Sequence, residues 1–411
     1  MLKIEEPKHY QSTDNQTEKA EQPLYQQAFF HLAFRSSFVL GTLSSIIALV
    51  IWLSYLNAWF VLTEIGLTPT VWHLNEMLFG FGATIAVGFI LTAAQTWTGQ
   101  SSITGKPLMI MVGIWLTARA LFLLNLPNTV SLALVLQTIW WLVAIYHFAR
   151  MVYVAQNRRN YLFIPLLTIM MLLNIAIVVC DLSGHTETAL HLGRTMVLLF
   201  GILMSIVGGR VIPFFTKAGA KLTQVSHPKW LDNTILLSAI AGSTVFLLGH
   251  FITLPFTPAA LMIVTGLLHL IRLSYWQSVK TTSIPLLWSL HLAYLALASG
   301  LIILGFSYLT PAILFSAALH LITIGAMGLM ILAMMARVSL GHTGRVLSPK
   351  KIINLAFLLM LLAAICRSLL AITSQPQWAW TSSIVLWCLA SLIFLIVYCP
   401  ILFAPRKDGR L

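Results

Sequence analysis

Long apolar runs recur from one end of this chain to the other, and they constrain its fold more than any other feature. Runs of about 20 residues with few or no charges match the thickness of a bilayer when they are helical. Of the 411 residues, 59% are hydrophobic and 9% are charged, against roughly 25% charged residues in soluble domains. The sequence therefore predicts an all-α, polytopic helical membrane protein.

Proline and glycine residues between the runs divide them into twelve predicted transmembrane helices. Their boundaries are 34–55, 75–95, 107–124, 130–151, 161–181, 189–212, 233–253, 257–274, 285–306, 311–336, 351–372 and 379–400. Residues 1–33 are polar with mixed charge, which predicts a disordered N-terminal tail. Residues 34–400 then form the transmembrane domain, and 401–411 form a basic C-terminal tail.

The loops between the predicted helices alternate in charge. Loops after odd-numbered spans contain no lysine or arginine, whereas every loop after an even-numbered span contains at least one. Because basic loops stay on the cytoplasmic side, both termini are predicted to be cytoplasmic. This distribution accounts for the formal charge of +13 without nucleic acid as a partner, and membrane lipid is expected to surround the chain.

One acidic residue, Glu76, is predicted to lie well inside a span, and His73 lies three residues before it on the same helix face. A carboxylate within a membrane is costly and usually marks a functional site. The alternative is that both residues lie at the start of the helix. There Glu76 would complement the helix dipole and His73 would sit at the water interface.

Three arginines, Arg119, Arg194 and Arg367, are predicted at similar depths in the outer half of three different spans. Arginine keeps its proton, so each guanidinium needs a partner or water. Glu76 alone cannot balance three positive charges. We therefore predict a bound dianion, and the two propionates of a haem would fit. Backbone carbonyls and water are the alternative partners.

Several histidines lie in or near predicted spans, among them His73, His291 and His320. Imidazole binds iron, copper and zinc, and helical bundles are natural cofactor sites. For each histidine the alternative is a neutral, hydrogen-bonded core residue. The four cysteines form no CxxC or CxxCH pattern, which argues against a covalently attached c-type haem and a thiolate cluster.

Four stretches of the sequence resemble signatures of the NnrS family. They are WHLNEMLFGFGATIAVGFILTAAQTWTG at 72–99, GGRVIPFFT at 208–216, LLWSLHLAYLALASGLIILG at 286–305, and HLITIGAMGLMILAMMARVSLGHTGR at 320–345. The resemblance covers nearly the whole chain after the tail, in order. It implies a twelve-span bacterial inner-membrane protein that contains haem and copper and takes part in the response to nitric oxide and nitrosative stress.

The resemblance also points to particular residues. The implied metal ligands are His73, His291, His320 and His342, and the implied cofactor-binding residues are Glu76 and Arg345, beside the three arginines predicted from charge. Family members commonly read HxHEM at 73–77, where this chain has Asn75 in place of a second histidine. Asparagine is a poor ligand for haem iron, so a metal role is not carried over to this position.

The expected function is thus a response to nitric oxide, or protection against it, with the gas bound at or near an intramembrane metal site. Enzymatic turnover is not established by the sequence. One alternative is a nitric oxide reductase of haem–copper type, which would need quinol or another electron donor. The other is a secondary transporter of a small anion, in which Glu76 and the arginines would form the site. No internal repeat supports the transporter.

Overall fold

The computed structural model describes residues 23–59, 66–370 and 376–408, and within these ranges the chain is helical and contains no strand. The first six long helices are α1 (Ala33–Leu56), α2 (Pro69–Thr98), α3 (Gly105–Leu124), α4 (Pro127–Val154), α5 (Phe163–Leu182) and α6 (Thr186–Gly219). They are followed by α7 (Lys229–Leu248), α8 (Ala259–Ser274), α9 (Pro285–Phe306), α10 (Phe315–Gly341), α11 (Ile352–Leu369) and α12 (Pro376–Phe403). Each predicted span coincides with one helix, and the predicted all-α membrane fold is confirmed.

Eleven of the described helices are long and apolar enough to cross a membrane. The remaining helix, α8, has 16 residues, which extend about 24 Å through a hydrocarbon layer of about 30 Å. It packs against both α7 and α9. The length of α8 is therefore close to a full crossing, and its neighbours hold it in the bundle.

Proline and left-handed backbone set several helix ends. α2, α4 and α9 begin with a proline, whose missing N–H is not needed there. α2 ends at Gly99, where a φ of 68° suits glycine. The sequence predicts an end of α6 at 212, but the helix continues through Pro213 to Gly219. Transmembrane helices tolerate an internal proline where neighbouring groups satisfy the freed carbonyl.

Four helices, α2, α6, α9 and α10, form the buried centre of the bundle. The other long helices keep many apolar side chains exposed on one face, as expected of residues that contact lipid rather than protein. The centre therefore contains the segments that carry Glu76, His291 and His320.

The segment before α1 and the end of α12 meet beside α1. Residues 1–22 of the predicted N-terminal tail lie outside the described residues, whereas two short 3₁₀ turns precede α1. Phe29 is buried there and stacks on Phe403 of α12, with ring centroids 4.4 Å apart. Arg35 is also buried, and its Nη1 donates hydrogen bonds to the carbonyl oxygens of Leu402 and Ala404 at 2.9 and 2.7 Å. The first and last helices are thus joined directly.

Candidate functional site

Two of the central helices contain π-helical turns, in which backbone hydrogen bonds reach one residue further than in an α-helix. These segments are Glu76–Ala83 in α2 and Leu321–Gly328 in α10. π-Helical turns are rare and frequently occur at functional sites. His73 lies three residues before the first segment, and His320 lies directly before the second. Both helices therefore change geometry beside a predicted metal ligand.

The two π-helical segments approach each other at Gly82 and Met327. A Cβ atom at Gly82 of α2 would overlap the Cε atom of Met327 in α10 and would lie 3.3 Å from Cζ of Phe200 in α6. Glycine is therefore the residue that permits this approach. The contact holds the helices that carry His73 and His320 at the wall of one cavity.

This cavity, of about 520 Å³, lies between α1, α2, α6, α10, α11 and α12, and its size is within the range of about 300–1,000 Å³ of small-molecule and cofactor sites. Most of the wall is apolar, including three tryptophans. The polar or charged residues on the wall include Thr70, His73, Arg194, Ser316, His320, Thr323, Arg367 and Ser383. The structure thus brings together two of the four predicted metal ligands and two of the three predicted arginines.

His320 is held in one orientation and one tautomer. Its Nδ1 lies 2.6 Å from the carbonyl oxygen of Ser316, one turn earlier in α10. Because a carbonyl can only accept, Nδ1 carries the proton and Nε2 keeps its lone pair. Metal-binding histidines are typically fixed in this way by a hydrogen bond from the other ring nitrogen.

His73 lines the same cavity but has a different environment. Its ring stacks on Trp52 of α1, with centroids 4.5 Å apart and planes inclined by 15°. Its Nδ1 is buried and has no hydrogen-bond partner among the described residues. A buried polar atom left unpaired costs about 1–3 kcal/mol, so Nδ1 of His73 is available to a bound group.

Arg194 and Arg367 add positive charge to the same wall. The guanidinium of Arg194 lies over the ring of Phe315, 5.6 Å from its centroid. Arg367 donates from Nη2 to the hydroxyl of Ser316 at 3.3 Å, so Ser316 contacts both His320 and Arg367. No carboxylate among the described residues pairs with either arginine. The cavity therefore favours an anionic group.

Arg119, the third predicted arginine, lies elsewhere. Its Nη1 donates to Oε1 of Glu76 at 2.7 Å, both side chains are almost fully buried, and Nη2 donates to Gln137 of α4. Neither Arg119 nor Glu76 lines the cavity. The charges of Arg119 and Glu76 neutralise each other. Of the three predicted arginines, only Arg194 and Arg367 therefore place positive charge at the cavity.

Asn75 belongs to the same polar network. Its Nδ2 donates to Glu76 Oε1 at 3.1 Å, and its Oδ1 accepts from Nδ2 of Asn174 at 3.2 Å. Trp141 donates in turn to Asn174. Asn75 thus joins α2 to α5 and holds the carboxylate of Glu76 together with Arg119.

His291 lies apart from the cavity, buried between α9, α6 and the loop before α9. Its Nε2 lies 2.8 Å from the hydroxyl of Thr216, and its Nδ1 lies 2.8 Å from the hydroxyl of Ser278. Both ring nitrogens are therefore occupied by hydrogen bonds. The structure does not bring His291 together with His73 and His320, and it matches the hydrogen-bonded core histidine that the sequence left as the alternative.

His342 and Arg345 lie in the loop after α10, where they contact the end of the chain. The carbonyl of His342 accepts from Nη1 of Arg406 at 3.1 Å, and the carbonyl of Thr343 accepts from the backbone N–H of Lys407 at 3.1 Å. Arg345 donates to the same Thr343 carbonyl at 3.3 Å. The GHTGR motif thus fastens the C-terminal segment. Burial and the positive charge of Arg406 lower the pKa of His342.

Sequence reasoning missed Ser316, which contacts both His320 and Arg367, and it missed Trp52, which stacks on His73. The position of Ser316 four residues before His320 is the available signal, since residues at that spacing share a helix face. Nothing in the local sequence around Trp52 indicates the stack, because it depends on how α1 is rotated against α2.

The described residues include individual histidines that could bind a metal, but they do not form a centre with several ligands. Among the described residues, no group of three or more histidine, cysteine, aspartate or glutamate side chains is placed to hold a metal ion. His73 and His320 reach the same cavity from two different helices, so they are the two histidines available there to a bound group.

A match to a family of known proteins covers most of this chain. No protein with a curated description matches it. A family model described as NnrS protein matches residues 28–406, which includes all twelve long helices. This chain is therefore a member of the NnrS family, a family of membrane proteins associated with the response to nitric oxide.

Proposed function

We propose that this protein binds haem in the cavity between His73 and His320, and that nitric oxide is bound there within the bacterial inner membrane. The observation that carries the proposal is the state of His320, whose Nδ1–H is fixed by Ser316 so that Nε2 is free to ligate iron. His73, with its unpaired Nδ1, is the second histidine available to the same cofactor.

The charged wall also fits a haem. Its two propionates would balance Arg194 and Arg367, which have no carboxylate partner in the described part of the chain. Arginine pairs with carboxylates through two parallel hydrogen bonds, which lysine cannot reproduce. Arg119 is already paired with Glu76 and is not needed for this role.

The chain's own residues provide an apolar, enclosed environment for a small neutral ligand. Nitric oxide partitions into lipid, so a cavity inside the membrane receives it without a polar channel. A haem bound there would supply the iron that binds nitric oxide, and the polarity of the pocket would decide between storage and chemistry. Trp52, Trp380 and Trp387 line the cavity and would exclude water from the bound ligand.

Copper fits the described residues less well, because no three histidine, cysteine or acidic side chains converge. We therefore derive no step through copper, and a haem–copper reductase centre is not the function that this site favours. Binding and protection, without turnover, remain the proposal.

The absorbance spectrum of the purified protein tests this proposal. A Soret band that shifts when nitric oxide is added is expected for the wild type, with loss of most haem in His320→Ala and weaker retention in His73→Ala. His147→Ala, on α4 and outside the cavity, is the control for folding and yield. His291→Ala tests the predicted ligand that lies outside the cavity, and we expect this variant to keep its haem. Full haem content in both His320→Ala and His73→Ala would overturn the proposal.

A transporter of a small anion is the second candidate, favoured by the same two unpaired arginines. It predicts anion uptake into liposomes by protein that contains no haem. Uptake that is lost in Arg194→Leu or Arg367→Leu, together with the absence of a Soret band in wild-type protein, would replace haem binding by transport.

The direction of insertion is part of the proposal. The alternation of basic and uncharged loops favours both termini in the cytoplasm by the positive-inside rule. Fusions at the C-terminus should be active with a cytoplasmic reporter and inactive with a periplasmic one, and the reverse result would exclude this orientation.

A further inference from the structure

A second cavity, of about 420 Å³, lies at the opposite end of the bundle from the predicted outer arginines and shares no lining residue with the first. It is bounded by α6, α7, α8 and the loop that precedes α5. Unlike the haem cavity, it contains three arginines, Arg159, Arg210 and Arg272. The family resemblance assigned no role to this group.

Arg272 is buried and fixed by its neighbours. Nη1 donates to Oδ1 of Asp232 at 2.8 Å, Nη2 donates to the carbonyl of Ser205 at 2.9 Å, and Nε donates to the hydroxyl of Tyr294 at 2.6 Å. Asp232 is thus committed to Arg272. Arg272 and Asp232 both line the cavity, and because they are paired they add almost no net charge to it.

His227 contributes no charge to the cavity. Its Nδ1 accepts a hydrogen bond from the indole N–H of Trp276 at 3.1 Å, so this nitrogen carries no proton. Its Nε2 therefore carries the proton and donates to Asp232 at 2.8 Å. With His227 neutral, the three guanidinium groups and the one carboxylate on the wall leave a net charge of +2.

The uncompensated charge belongs to Arg210 and Arg159. Nη1 of Arg210 donates to Asn160 Oδ1 at 2.6 Å and Nη2 donates to the carbonyl of Arg159 at 3.2 Å, which positions the guanidinium but supplies no anion. A guanidinium has five N–H groups, so several remain for a ligand. The side chain of Arg159 has no hydrogen-bond or ion-pair partner within the described ranges and is exposed.

We infer that this second cavity is a binding site for a phosphate group, and that the headgroup of an anionic phospholipid is the occupant. Arginines oriented in advance bind phosphate through paired hydrogen bonds. The cavity is lined by residues of the segments before α5 and after α6, which carry Arg158, Arg159 and Lys221. These segments lie on the side that the positive-inside rule makes cytoplasmic, where anionic lipids are concentrated and basic pockets between helices bind their headgroups. This inference does not depend on haem.

Full-length protein in a neutral detergent tests the inference. Its unfolding temperature is measured during titration with phosphatidylglycerol, with phosphatidylcholine and with inorganic phosphate. We expect stabilisation by phosphatidylglycerol and none by phosphatidylcholine. Arg210→Gln and Arg159→Gln should each raise the half-saturating concentration about tenfold, as expected for the loss of hydrogen bonds to a charged group. Arg158→Gln changes an exposed neighbour that does not line the cavity, and it should behave as wild type.

The inorganic phosphate arm identifies the source of the group. Stabilisation by phosphate alone, with the same dependence on Arg159 and Arg210, would support a phosphate site that takes a soluble ligand instead of a lipid. Equal half-saturating concentrations in wild type, Arg159→Gln and Arg210→Gln would overturn the inference, as would a lack of response to both probes. Arg159 is exposed, so its variant remains informative even where Arg210→Gln fails to fold.

Discussion

Nη1 of Arg119 lies 2.7 Å from Oε1 of Glu76, and this ion pair joins α3 to α2 inside the bundle. Asn75 of α2 donates to the same carboxylate oxygen, and Gln137 of α4 accepts from Arg119. The carboxylate that is most prominent in the sequence therefore serves to hold helices together behind the cavity wall, while the wall itself carries histidines and unpaired arginines.

Removing one partner of this pair should destabilise the protein strongly. Arg119→Leu leaves Glu76 buried without its cation, and such changes cost about 3–5 kcal/mol. The double variant Glu76→Leu/Arg119→Leu should unfold at a higher temperature than Arg119→Leu alone, because no buried charge remains. Thermal unfolding in detergent measures both. If the single variant is as stable as wild type, the pair has no structural role.

The two cavity arginines should affect haem more than stability. Arg194→Leu and Arg367→Leu would each remove a partner of the propionates of the proposed haem, so we expect a lower haem content per folded protein or a shifted redox potential. Lysine at either position should restore only part of the retention, since it lacks the paired hydrogen bonds. Haem content is compared with that of Arg119→Leu at matched folded yield. Equal losses at all three sites would favour the prediction from sequence that one haem joins all three arginines.

The contact between Gly82 and Met327 should control the shape of the cavity that contains His73 and His320. Gly82→Ala forces the end of the Met327 side chain to move, with a destabilisation of about 1–3 kcal/mol. Met327→Ala in the same protein should recover much of this loss, because the overlapping atom is removed. Unfolding temperature and the position of the Soret band report the effect, and additive losses in the double variant would argue against a direct contact.

Acidification should weaken the fastening of the C-terminal segment. Burial and Arg406 lower the pKa of His342, so the folded state favours the neutral ring. The resulting stability is complete above the unfolded pKa of about 6.5 and is lost as the pH falls from there through the lower folded value. The difference in unfolding temperature between wild type and His342→Asn should therefore shrink between about pH 8 and about pH 5, on either side of that unfolded value. A difference independent of pH would exclude this titration.

Hydropathy and loop charge were sufficient to predict the helices, because each span must bury its backbone in a layer of fixed thickness. The predicted spans 34–55 and 285–306 match α1 and α9 within one residue at either end. The error at Pro213 has a clear cause, since proline ends helices in water but is tolerated within a membrane.

The candidate site could be predicted only in part. Sequence position gives the depth of a side chain along a helix, but it does not give the rotation of that helix about its axis. His73 and His320 line the same cavity, whereas His291 lies outside it and contacts Thr216 and Ser278. The π-helical turns beside His73 and His320 change this rotation further, and no residue pattern in the sequence indicated them.

The contact of Arg35 with Leu402 and Ala404 has a consequence for biosynthesis. The donor and its first acceptor are separated by 367 residues, which a ribosome translates in about 20–70 s at roughly 5–20 residues per second. Throughout that interval the guanidinium must rely on water or lipid headgroups, because its final acceptors do not yet exist. Closure between the first and last helices therefore waits for the synthesis of the last helix, and a chain that ends before it lacks both carbonyl acceptors of Arg35.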